Sequence, residues 1–287
     1  MGGVKRIPAI VSVVLLLCAV QLLTACGRAE TGQTVSTEGY SVTDITGRTV
    51  HFDTPPQRIV TLSSTLDQIV LSVAPPERMA AVNASMKDPI NSNMVEVAEQ
   101  VEKTIQRPSV EYIVSLHPDI VLIADWQYLE LADPLRDSGL NVVVGRGPHN
   151  LAEVRDLVRL TTDAIGESRR GDVLLRKMDE KLSEITEKVQ SIPESERKSV
   201  VFLSLMSTYG GIGSSFDDAC HHAGVINGVS AYGLRNGQEV TKEVILAINP
   251  DILFLPDYPW KGQAWLDSYI RSYTEDPALQ PLKALRE

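Results

Sequence analysis

A long apolar run opens the chain. Residues 7–17 are almost wholly hydrophobic and the run continues to Leu23, behind a short basic start of Lys5 and Arg6 and with no acid in residues 1–25. About twenty such residues would suffice to cross a bilayer, yet a basic start, an apolar middle and a close of small residues read as an export signal and not as part of the fold. From residue 40 onward the pattern changes to short β-branched runs that alternate with helical spacing. Residues 42–52 predict a hairpin turning at Gly47 and ended by Pro55 and Pro56. Residues 58–62 read as a strand running into a helix over 63–70, with helix-start chemistry from Ser63. Strands at 79–82, 120–123 and 141–144 then alternate with helices at 110–116 and 129–138. Such alternation implies a parallel sheet wound by right-handed crossovers.

Asn150 can cap a helix running to Ile165, and Gly166 suits its stop. The next helix, over residues 168–191, places Leu174, Met178, Leu182, Ile185 and Val189 at three- and four-residue intervals and charge elsewhere. At 1.5 Å per residue it is about 36 Å long, the length of a strut. A strand at 199–204 and a Ser215-capped helix at 215–223 follow. The chain then repeats itself: residues 111–123 return as 243–255, with Glu111 matched by Glu243 and Pro118-Asp119 by Pro250-Asp251. The separation is too long for a solenoid repeat and suits two small α/β lobes built on one plan. The expected layout is a signal over 1–25, a tether over 26–39, an N-terminal lobe over 40–150, a helical connector over 151–191 and a C-terminal lobe over 192–287. That last lobe shows fewer strands and closes on an expected helix over 279–287, so it is expected to be C-terminally short.

Composition narrows the chemistry. Asp and Glu number 37 against 27 Lys and Arg, a formal net charge of −10, and the leader takes away only basic residues. Nucleic-acid binding is thereby disfavoured. Of the three cysteines, Cys18 lies in the leader and Cys26 closes Leu23-Thr24-Ala25-Cys26, which resembles the bacterial lipobox; Cys26 is the lipidation site that this resemblance implies. Cys220 is then left without a partner, so neither a disulfide framework nor a cysteine metal site is available. Two acyl chains are about what stable anchoring takes, and the mature protein is expected to be exported, lipid-anchored to a bacterial membrane and otherwise soluble.

The hairpin with Asp44, Gly47 and Arg48, the Pro56-x-Arg58-Ile-Val start, both acid-to-Pro-Asp segments, and the Gly210–Asp217 loop followed by Ala223-Gly-Val-Ile-Asn227 occur in that order behind the lipobox. Over residues 40–287 the set resembles the class III solute-binding proteins of ABC importers, which deliver iron-siderophores, haem and cobalamin. The resemblance implies an α/β fold of two Rossmann-like lobes with parallel sheets, joined by one long rigid helix, with a ligand cleft between the lobes. It also implies another strand and a terminal helix beyond the point where this sequence ends. No tightly bound cofactor is expected; the cargo is a ferric siderophore, or cobalamin or haem. The implied partners are a permease of two related membrane subunits with its cytoplasmic ATPase, and the chain is expected to act as a monomer.

Candidate residues follow from both lines of reasoning. Glu111 and Glu243 stand two residues after Ser109 and Thr241, where a carboxylate complements a helix dipole. In the resembled family the matching glutamates dock on permease arginines, a contact that steers and orients. Ligands of wound parallel sheets gather beyond the carboxyl ends of the strands. That rule selects Ser64, Trp126, Tyr128, Met206, Tyr209, Tyr258 and Trp260, with Arg235 as a cation for an anionic chelate. The rings suit stacking on a flat or catecholate-rich chelate. His221 and His222 are helical neighbours about 100° apart and do not share a metal easily; capture of free Zn or Mn would need three or four convergent ligands that the sequence does not present. The Gly210–Ser215 loop lacks the Lys-Ser/Thr ending of a phosphate loop, and no Gly-x-Ser-x-Gly elbow is present for a hydrolase.

Overall fold

The computed structural model describes residues 39–259 and 261–286; the leader, Cys26 and Trp260 lie outside them. The hairpin forms from β1 (Tyr40–Thr43) and β2 (Thr49–Phe52), paired antiparallel. Gly47, with φ +80°, makes the turn between them. Five further strands, β3 (Ile59–Thr61), β4 (Met79–Asn83), β5 (Thr104–Ile105), β6 (Ile120–Ala124) and β7 (Val142–Gly145), form one sheet in the order β5-β4-β3-β6-β7. Every pairing in it is parallel. β3, β6 and β7 are buried at every position, as strands covered on both faces must be.

The helices of this first lobe divide between the two faces. On one face, α1 (Ser64–Val73) contributes Leu66, Ile69 and Val70 to the core, and α2 (Val95–Ala98) adds Ala98. On the other, α3 (Val110–Ser115) and α4 (Ala132–Asp137) supply Ile113, Ala132 and Leu135. α5 (Leu151–Ala164) joins the first face through Leu157 and Val158, capped by the Asn150 side chain as its sequence foretells. α6 (Ser168–Val189) follows, and of its 22 residues only Gly171 and Leu175 are buried. It is a largely solvated rod leading to the second lobe.

The second lobe holds a smaller parallel sheet of β8 (Ser199–Phe202), β9 (Ile226–Asn227) and β10 (Ile252–Phe254), in the order β10-β8-β9. Its helices are α7 (Ser215–Ala223), α8 (Gly228–Ala231), α9 (Lys242–Ile248) and α10 (Gln263–Thr274). The cap of α7 is Ser214, whose side chain accepts from the Asp217 N–H, rather than Ser215. The helix expected over 279–287 is also corrected. Residues 275–286 form turns with one 3-10 turn at Lys283–Leu285. Leu279, Leu282 and Leu285 keep their three-residue spacing because all three pack in the second core, while Pro277 and Pro281 deny a helix its ladder. α10, unread from the sequence, is the helix of this region.

The internal repeat is structural down to single hydrogen bonds. Ser109 Oγ accepts from Tyr112 N at 3.2 Å to start α3, and Thr241 Oγ1 accepts from Val244 N at 3.4 Å to start α9. Both helices are followed by a left-handed residue, His117 at φ 50° and Asn249 at φ 48°. Each Pro-Asp pair then clamps its neighbour strand. Asp119 accepts through Oδ2 from the N–H groups of Gln57 and Arg58 at 2.7 and 2.8 Å, and Asp251 accepts from Ser199 N at 2.9 Å. The backbone N–H groups of Asp119 and Asp251 in turn donate to the carbonyls of Arg58 and Ser199. The motif is thus the device that registers β6 on β3 and β10 on β8.

Candidate functional site

A cavity of about 370 Å³ opens beyond the carboxyl ends of β3, β4, β5 and β6, and Tyr258, which follows β10 in the second lobe, is also part of its lining. Wound parallel sheets bind in this position because the strand ends diverge into loops there. Ser64, at the first turn of α1, meets Ser85 hydroxyl to hydroxyl at 2.6 Å. Asn83 ends β4, Gln106 follows β5, and Gln127 with Tyr128 follows β6. Tyr128 stands in the left-handed conformation, φ 62°, which turns the chain back from β6 toward α4.

Beneath this floor lies Asp67, fully buried. Thr61 Oγ1 donates to its Oδ1 at 2.5 Å, and Asn83 donates to Oδ2 through both its side-chain Nδ2 (2.5 Å) and its backbone N–H (2.9 Å). Loss of solvation on burial outweighs these bonds and pushes the Asp67 carboxyl up to about 7. The network turns the Asn83 amide nitrogen to Asp67, and Asn83 is among the residues that line the cavity. At the rim, Asp88 accepts through Oδ1 from Ile90 N at 2.9 Å and through Oδ2 from the Asn91 amide at 2.6 Å.

Of the residues singled out from sequence, Ser64, Tyr128 and Tyr258 line this one cavity. Trp126 does not; it lies about half exposed across Gly147, where a Cβ would come within 2.5 Å of its ring. Met206 and Tyr209 line a separate hollow of about 10 Å³ with Phe202, Tyr269 and Tyr273. There the Tyr209 hydroxyl meets Ser215 Oγ at 2.7 Å. Arg235 sits on an exposed loop bridged to Ile212, its N–H donating to Gln238, and it is not among the cavity's lining. Asn83, Ser85, Asp88, Asn91 and Gln106 line the cavity and were missed. The strand-end rule would have found Asn83 and Ser85 once applied to β4, whereas β5, two residues long, gives no periodic signal.

Glu111 and Glu243 are both exposed in the first turns of α3 and α9. A helix that leads into a parallel strand begins at the carboxyl end of its sheet, so each acid stands at the cleft end of its own lobe. Both carboxyls are held below the usual range, Glu111 by its own backbone N–H and then the Ser109 hydroxyl, Glu243 by the Thr241 hydroxyl and then its own N–H. Among the described residues no group of three His, Cys, Asp or Glu side chains is placed to hold a metal ion, and no helix is long and apolar enough to cross a membrane.

Comparison with known proteins adds a family. The model of the periplasmic binding protein family matches residues 59–286. An uncharacterized ABC transporter substrate-binding lipoprotein of Bacillus subtilis (strain 168), YvrC, is 26% identical over 254 residues, covering 84% of this chain and 79% of that protein. Among solved structures, the haem-binding protein RhuT of Roseiflexus sp. RS-1 superposes with a TM-score of 0.65 at 24% identity, covering 80% of this chain and 86% of that one. The molybdate-binding protein MolA of Haemophilus influenzae superposes with a TM-score of 0.68 at 18% identity, covering 86% and 81%. At these identities the structures speak for the fold alone.

Proposed function

Since the chain belongs to the periplasmic binding protein family, whose members bind and do not catalyse, we propose that it is the cargo-binding lipoprotein of an ABC importer, capturing an iron-siderophore-type chelate and passing it to a permease. The observation that carries this reading is the interlobe cavity, with Ser64 and Tyr128 on one side and Tyr258 on the other. Cargo held there touches both lobes, so its presence is legible to a partner that grips both. Glu111 and Glu243 supply the grip. Their helices repeat one another in cap, exposure and following turn, and two related permease subunits would each meet the same carboxylate in the same setting. In this reading Cys26 carries the acyl anchor, the chain faces outward from a bacterial membrane, and the ATPase on the other side supplies the energy.

Charge reversal tests the assignment. Replacing both acids, Glu111→Lys with Glu243→Lys, is expected to abolish uptake of a ferric chelate into vesicles carrying the permease while its Kd for the isolated lipoprotein changes less than about twofold. Such a split is what loss of electrostatic docking predicts. Undiminished uptake by the double variant would refute the docking role.

A further inference from the structure

The cavity's lining narrows the cargo. We propose, resting on the binding reading above, that the cleft takes a chelate of neutral or positive net charge with an amide- or hydroxyl-bearing rim, and selects against anionic cargo. The lining holds no Lys or Arg among the described residues, and its one acidic side chain is Asp88. An anion brought into such a site gives up hydration and receives no charge-assisted hydrogen bond in return. The cations adjacent in sequence to the lining do not line it: Arg107, next to Gln106, is exposed and outside the lining. Lys87 is paired with Glu99 at 3.5 Å, and Arg235 lies on its exposed loop outside the lining. At long range the formal net charge of −10 opposes the approach of an anion and favours that of a cation.

The polar groups at the site specify the rest. Asp67 engages the Asn83 amide through its nitrogen, so the group Asn83 has left to offer is its oxygen, an acceptor, and the Asp88 carboxylate is an acceptor as well. Both call for N–H or O–H donors on the cargo. Ser64, Ser85, Gln106, Gln127 and the hydroxyls of Tyr128 and Tyr258 can donate or accept, which suits the amide and hydroxamate groups of a polar chelate. Among the described residues Ile105 is the lone aliphatic side chain larger than alanine in this lining, so a broad apolar plate finds little there to bury against.

Equilibrium titration of the full-length lipoprotein in detergent, followed by tryptophan fluorescence, decides the matter with four probes. These are an uncharged ferric tris-hydroxamate, a ferric tris-hydroxamate bearing a free amine, the trianionic ferric tris-catecholate, and haemin. The Kd values for the two hydroxamates are expected to be at least about tenfold below those for the catecholate and haemin, and Asp88→Asn should narrow that ratio. Catecholate or haemin binding as tightly as the hydroxamates overturns the charge selection and leaves the binding reading intact. A ratio unmoved by Asp88→Asn, in a variant with wild-type circular dichroism, overturns the part given to Asp88. Failure of all four probes against a cooperatively melting protein removes the chelate-binding reading itself, and the inference with it.

Discussion

Asp67 is the residue where burial and hydrogen bonding pull hardest against each other. Three donors from Thr61 and Asn83 favour its carboxylate, yet desolvation dominates and pushes its carboxyl up to about 7 in the fold, from the ordinary 3.8 of a free aspartate. Between those values the folded chain keeps a proton that the unfolded chain has released, so stability falls as pH rises. The contribution is fully present below about pH 4 and lost above about pH 7, and a shift of this size is worth on the order of 4 kcal/mol. Carboxyls held low, such as Glu111, Glu243 and Asp251, act in the opposite direction and only in acid, below their unfolded values. Denaturant midpoints at pH 5 and pH 8 therefore isolate Asp67. The wild type should be the less stable at pH 8, and Asp67→Asn, which cannot titrate, should lose that difference while costing about 1–3 kcal/mol at pH 5 through a mismatched donor. Equal pH dependence in both chains would show that Asp67 does not titrate in this window. The helix caps at this scale were legible, since Ser63, Ser109, Asn150 and Thr241 each act on the residue three positions on. The Asp67–Asn83 contact was not, because it exists only once β4 lies beside β3.

At the scale of elements, two long helices meet through a missing side chain. Gly171 of α6 faces Thr162 of α5 so closely that a Cβ on it would lie 2.3 Å from Thr162 Oγ1 and 2.8 Å from Thr162 Cβ. Alanine would add about 1 kcal/mol of helix propensity. The neighbour is the rigid root of a β-branched residue and not a flexible tip, so the helices must part. Gly171→Ala is expected to lower stability by a net ~1–2 kcal/mol, seen as a reduced denaturant midpoint at unchanged slope, and Thr162→Ala in the same chain, which removes Oγ1 but keeps the Cβ, should restore only part of it. A midpoint that rises in the single variant would refute the clash. Elements with strong local periodicity, the long α6 and the strands of the repeat, could be read from sequence. β5 and β9, two residues each, carry too little pattern to read, and the leucines at 279, 282 and 285 imitated a helix because packing alone set their spacing.

Across the whole molecule, the cleft keeps its shape only if the rod α6 is held at both ends. At the second-lobe end, Gly224 turns with φ +67° directly beneath Val189, close enough that a Cβ would lie 2.8 Å from that side chain. At the first-lobe end the anchor is Arg78, buried, whose guanidinium pairs with Glu167 at the start of α6 and donates to the carbonyls of Pro56 and Ile165. One planar fork therefore ties together the exit from the hairpin, the last turn of α5 and the first of α6. The two-lobed plan was legible from the repeat, but this clamp was not, since its members are scattered from 56 to 167. Arg78→Ala leaves two carbonyls without their donor and Glu167 with only the more exposed Arg170 beside it, and should cost up to about 3–5 kcal/mol. Arg78→Lys keeps the charge but presents a point cation in place of a fork, so it should recover only part of that loss. Both are measured by guanidinium unfolding. Because the clamp fixes the direction in which the rod leaves the first lobe, the lysine variant should also bind an uncharged ferric tris-hydroxamate more weakly than the wild type, although Arg78 lines no part of the cavity. A lysine variant equal to the wild type in both stability and affinity would mean that charge alone suffices at position 78 and that the rod's bearing is set elsewhere.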